Sequence, residues 1–109
     1  MSHNQYAACI TACYECAAAC DHCAVACLRE PDPAAMVDCI RTDMDCAQIC
    51  RLAAAAMARG SEFVMDIVKL CTEICTRCGD ICNKHEHDHC QACARACKAC
   101  VEECWKIMA

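Results

Sequence analysis

Steps of three and four residues between cysteines run through most of this chain and dictate what it can fold into. The first ladder is Cys9, Cys13, Cys16, Cys20, Cys23 and Cys27. A sparser one follows at Cys39, Cys46 and Cys50. A third runs Cys71, Cys75, Cys78 and Cys82, and the last Cys90, Cys93, Cys97, Cys100 and Cys104. Alternation of four and three keeps side chains on one stripe of an α-helix, so each ladder points a row of sulfurs one way. No stretch alternates with period two, and Ala, Leu, Met and Glu dominate the spacers, which excludes strands.

Punctuation divides the chain into four helices. The first spans about Asn4 to Leu28 and stops at Arg29-Glu30-Pro31-Asp32-Pro33, where two prolines cannot continue a helical ladder. Asp32 before Pro33 reads as an N-cap for a second helix from about Ala34 to Ala58. Gly60 suits a left-handed stop, and Ser61 is placed to cap a third helix ending near Asn83. Lys84 to His89 form a short polar connection, with Asp88 placed to cap the fourth helix. Short connections make neighbours antiparallel. The expected fold is therefore all-α, an antiparallel up-down-up-down four-helix bundle with a Cys-lined core, and residues 1–109 form a single domain. The matching spacing of Cys9–Cys20 and Cys71–Cys82 is consistent with a duplicated helical hairpin.

Aromatic residues are few, so cysteine and alanine must build most of the core. Such a core buries little area per residue, and modest stability is expected without a ligand or partner. The polar start, with neither an apolar segment near 18 residues nor a basic leader, places the protein in the cytoplasm, away from the membrane. There thiols stay reduced, and cysteine-rich patterns signal metal or redox chemistry rather than disulfides. Acidic and basic residues are mixed, with a net charge of −5 and no basic patch, which excludes a nucleic-acid surface.

Simple packing does not account for eighteen cysteines in helical phase, because a core needing small residues would mix in Ala and Val. Intrahelical disulfides fit poorly, since neighbours on one stripe have near-parallel side chains. Zinc favours separate tetrahedral quartets, and these ladders are continuous. Iron–sulfur ligands usually sit on loops, and Cys20-Asp21-His22-Cys23 is not a heme attachment motif. Cu(I) fits best, because soft thiolates select it and roughly one monovalent ion per thiolate leaves the interior near neutral. Every cysteine above is thus a candidate ligand for multiple Cu(I) ions. A zinc or mixed-metal thiolate buffer and a thiol redox protein remain alternatives. No catalytic constellation stands out, and the chain is read as a non-enzyme.

The four ladders, the prolines after the first helix and the histidines before the fourth resemble the copper storage protein family, in its cytosolic branch. The resemblance covers essentially the whole chain. It implies a four-helix bundle holding many Cu(I) ions, a homotetramer, and a role in storing and buffering copper.

Up-down topology gathers Cys27, Met36, Cys39, Cys82, Cys90 and the histidines at one end. Leu52, Met57, Phe63, Val64, Ile67, Val68, Ile107 and Met108 gather at the other. The first end reads as a copper mouth and the second as a hydrophobic plug. His85 continues the stripe from Cys82, and His89 precedes Cys90, so both are candidate ligands or entry residues. His87 and His22 read as outward-facing, and His3 is unassigned. Asp43 takes the inward place between Cys39 and Cys46. It is either an oxygen ligand, a proton acceptor or a supporting group near the mouth, or else helix two is rotated so that it reaches water. Met36 and Met44 are core or interface positions that could also offer thioether sulfur. Trp105 and the Ala-rich outer faces suit subunit contacts.

Overall fold

The computed structural model describes residues 3–109, with side chains from Gln5 onward. The side chain of His3 lies outside the described residues. Helix α1 spans His3–Leu28, α2 Val37–Ala58, α3 Val64–Asn83 and α4 Asp88–Met108. A short 3-10 turn, Pro33–Met36, leads into α2. Proline there fixes φ at the first position of the turn, where its missing N–H costs nothing.

The helix ends differ in detail from the sequence expectation. Asp32 makes no side-chain cap, and its carbonyl instead accepts from Ala35 N–H at 3.1 Å. The Ser61 hydroxyl accepts from Phe63 N–H at 3.1 Å, which bends the turn before α3 rather than capping the helix itself. Asp88 is the first helical residue, where its negative charge complements the helix N-terminus. Gly60 has φ of 65°, the left-handed value its position requires.

The bundle is four-sided and elongated, 47 × 18 × 18 Å. α1 borders α2 and α4, while α3 borders α2 and α4 on the opposite side. All eighteen cysteines are buried free thiols, facing one another along the axis. At one end Met57, Val64, Val68 and Ile107 close the core with Tyr6, Ala53, Ala54 and Ala56. Ile67 and Met108 pack against its edge. Leu52 and Phe63, read as part of this plug, are exposed instead. Leu52 lies two residues past Cys50, off its stripe, and Phe63 precedes the first turn of α3.

Gly79 of α3 packs tightly against α4: a Cβ there would sit 3.2 Å from Cys97 Cβ. G79V forces these helices apart and is expected to cost about 1–3 kcal/mol in urea unfolding, the usual range for overpacking. Wild-type stability in that variant would show that the interface yields freely.

Candidate metal centre

The phase of each ladder brings sulfurs from different helices within bonding range of a shared ion. Near the plug, Cys9 faces Cys104 at 3.8 Å and Cys13 faces Cys100 at 3.6 Å, pairing α1 with α4. Across α2 and α3, Cys46 lies 3.4 Å and Cys50 3.5 Å from Cys75. Toward the middle, Cys20 meets Cys93 at 3.6 Å. Compact groups follow, with sulfurs all within 4.8 Å of one another. Cys13, Cys71, Cys100 and Cys104 form one, and Cys16, Cys46, Cys50 and Cys75 another. Cys16 and Cys46 also group with Cys20 and Cys97, and Cys20 with Cys78, Cys93 and Cys97. Shared members make these groups one continuous sulfur lattice. That is the chemistry of a soft monovalent ion held by two or three thiolates, more than of isolated tetrahedral sites.

Asp43 sits inside this lattice, fully buried, which excludes the reading that α2 rotates it into water. Cys78, Cys82 and Cys93 donate S–H to its Oδ1 at 3.2, 3.4 and 3.2 Å, and Cys39 lies 3.7 Å from Oδ2. The carboxyl therefore joins Cys39 and Cys82 on the mouth side to Cys78 and Cys93 farther in. Burial, reinforced by repulsion from the surrounding sulfurs once they ionise, pushes its pKa up to about 12. Before metal arrives Asp43 is a carboxylic acid.

The His-bearing end of the core is built from four helix ends. Cys23, Cys27, Cys39 and Cys90 form a four-sulfur group, and Cys39 approaches Cys82 to 3.2 Å. His89, in the first turn of α4, adds nitrogen: its Nδ1 lies 3.4 Å from Cys23 Sγ, 3.5 Å from Cys90 Sγ and 3.9 Å from Cys27 Sγ. Hydrogen bonds from Cys39, Cys82 and His89 pull the Cys23 thiol down to about 5, against the opposing effects of Cys93 and burial. Burial instead raises Cys27 and Cys90. Cys23 is thus the readiest thiolate at this end of the core. Burial alone would lower His89, but its hydrogen bonds to Cys23 and Glu30 outweigh that and raise it.

The other histidines are placed less centrally. His85 is half-buried, and among the described residues its ring makes no hydrogen bond to a thiol; its backbone carbonyl accepts from Gln91 at 2.7 Å. His22 is exposed, as its place between two inward cysteines requires. His87 is exposed yet pairs with Glu30 at 3.4 Å. Met36 is buried at the mouth end, and Met44 is exposed. Glu30 escapes a reading of the ladders because it follows the last turn of α1. Its signal is positional: an acid immediately before Pro31, in the connection that faces the histidine-bearing one.

The sequence model of the copper storage protein family matches residues 2–109. A cysteine-rich protein of Bacillus subtilis, YhjQ, is 50% identical over 106 residues, which are 96% of this chain and 98% of that one. The structure of Cu(I)-bound copper storage protein BsCsp3, from Bacillus, superposes with a TM-score of 0.92 at 48% identity, covering 96% of this chain and 99% of the other. A cytosolic copper storage protein from Streptomyces lividans, in a structure with five coppers, gives a TM-score of 0.93 at 40% identity over 97% of this chain and 93% of that one.

Proposed function

This chain belongs to the copper storage protein family, and we propose that its thiol lattice takes Cu(I) in at the His89 end and passes it inward toward the plug. It stores Cu(I) in the core of a four-helix bundle, and the buried inter-helix sulfur groups are the observation that carries this. All eighteen cysteines serve as ligands. The whole of residues 1–109 acts as one copper-binding unit, in the cytosol like its Streptomyces relative. The chain carries no catalysis of its own and assembles as a homotetramer.

Capture begins at Cys23 and His89, whose Sγ and Nδ1 share a hydrogen bond at 3.4 Å; loss of that proton leaves a thiolate beside a neutral nitrogen donor. His85 stands at the rim as a secondary entry residue. Passage inward proceeds by thiolate exchange between sulfurs 3–4 Å apart, each binding event releasing protons. Asp43 is already protonated, so it is not a free proton acceptor. Its contacts suit a group that supports four thiols and, once deprotonated, an oxygen ligand.

Titration of the reduced, metal-free chain with Cu(I) against a tight chromophoric chelator tests this. Saturation on the order of one ion per thiol is expected, because one positive charge per thiolate leaves the core near neutral. Saturation at one or two ions per chain overturns storage. Displacement of Cu(I) by equimolar Zn(II) would favour a mixed-metal buffer.

A further inference from the structure

Glu30 touches the mouth without belonging to the sulfur lattice. Its Oε2 lies 2.7 Å from His89 Nε2 and 3.4 Å from His87 Nδ1. The two imidazoles stack, with centroids 5.4 Å apart and planes 4° from parallel. The opposite nitrogen of His89, Nδ1, is the one that faces Cys23, Cys27 and Cys90.

A carboxylate only accepts hydrogen bonds, so the neutral imidazole must carry its proton on Nε2. In the neutral ring Nδ1 is then a lone pair on the thiol side. When the ring is cationic, the Nδ1 proton faces Cys23 and is the one lost to an arriving ion, while Nε2–H stays on Glu30. The segment holding Glu30 is stiff. Its N–H donates to the Cys27 carbonyl at 3.2 Å, and Pro31 and Pro33 fix the backbone just beyond. The His87 ring lies parallel to His89 and offset beside it, a contact that favours this ring plane. His89 is 13% exposed and Glu30 23%, so both partners are largely shielded from competing water.

We propose that Glu30 is a positioning residue for copper capture: by accepting the Nε2–H hydrogen bond it holds His89 in the tautomer and orientation that present Nδ1 to an ion arriving among Cys23, Cys27 and Cys90. This rests on the reading of His89 as a mouth ligand. Partners of this kind orient metal-binding histidines, and their loss generally costs 10–100-fold in affinity or activity.

The test uses the full metal-free chain, with Cu(I) presented as a complex with a chromophoric chelator and followed by stopped flow. E30A is expected to weaken and slow the earliest capture by about 10–100-fold, with total capacity unchanged because the thiols set it. E30Q keeps an accepting oxygen without the charge and restores most of the loss. H89A shows a loss like that of E30A, and E30A adds nothing in the H89A background, as expected of two residues acting as one unit. Nitrogen NMR of the metal-free protein should find His89 protonated on Nε2 in wild type and E30Q, and a mixture of tautomers in E30A.

Wild-type capture by E30A beside a slow H89A overturns the Glu30 role alone. Wild-type capture by H89A overturns the ligand reading and the Glu30 role with it. If E30Q is as slow as E30A, the charge attracts the ion and tautomer control is wrong. An unchanged His89 tautomer in E30A is equally fatal to it.

Discussion

Replacing Asp43 with asparagine is expected to stabilise the metal-free protein by about 2–4 kcal/mol at pH 7 and to flatten its decline in stability above about pH 4. The folded carboxyl is fully buried, and its pKa is pushed up to about 12 by burial first and by neighbouring thiolate charge second. In the unfolded chain it ionises near 3.8. Between those values the folded state binds a proton that the unfolded state has released. Stability contributed by the neutral acid is therefore complete below about pH 4 and falls as pH rises, by 1.36 kcal/mol per unit. At pH 7 about three units have been traversed, which sets the upper figure at about 4 kcal/mol. The folded pKa lies so far above 7 that its exact value does not enter. Asparagine keeps the oxygen that Cys78, Cys82 and Cys93 donate to, but puts an NH2 near Cys39, a weak acceptor. That mismatch trims the gain. Urea unfolding of both proteins under reducing conditions, from mildly acidic to mildly alkaline pH, measures the effect. Parallel stability curves would mean that Asp43 is ionised in the folded apo state.

The position of Asp43 was legible from phase alone, since it occupies the rung between Cys39 and Cys46. Its environment was not, because the three thiols that meet Oδ1 come from α3 and α4. The same division holds elsewhere. Spacing within one helix determines which side chains share a stripe, and that was sufficient for the inward direction of every cysteine and for the outward direction of His22. Pro31, Pro33 and Gly60 were sufficient for the breaks, because each constrains its own backbone whatever surrounds it. Axial register between helices is a property of the packed bundle, and so the grouping of Cys16 with Cys46 and Cys75 is visible only in three dimensions. Leu52 and Phe63 show the cost of judging the plug by hydrophobicity without phase. Glu30 shows the complementary gap, since helical phase ends where α1 ends.

Filling the core with Cu(I) is expected to raise the melting temperature by roughly 20 °C or more, and the argument turns on which sulfurs share an ion. An unfolded chain with eighteen thiols also binds copper, so only sites that unfolding destroys add stability. A pair such as Cys9 and Cys13 can survive locally in an unfolded chain. The group Cys13, Cys71, Cys100 and Cys104 cannot, since it joins three helices through cysteines widely separated along the chain. Re-forming such a link in the unfolded state costs about 3–5 kcal/mol of loop closure, the range found for long covalent cross-links. For a domain of this size each kcal/mol is worth about 4–8 °C, so even two or three links, partly redundant with one another, exceed the threshold given. The thiol and alanine core of the apo protein, with little large apolar surface, leaves ample room for the rise. Calorimetry at increasing Cu(I) per chain should show a stepwise increase that a strong Cu(I) chelator reverses. C71A removes α3 from that group and is expected to give back part of the increase while leaving most of the capacity. A loaded protein that melts within a few degrees of the apo form would place the copper on single helices, as a string of local thiolate pairs rather than a cross-linked core.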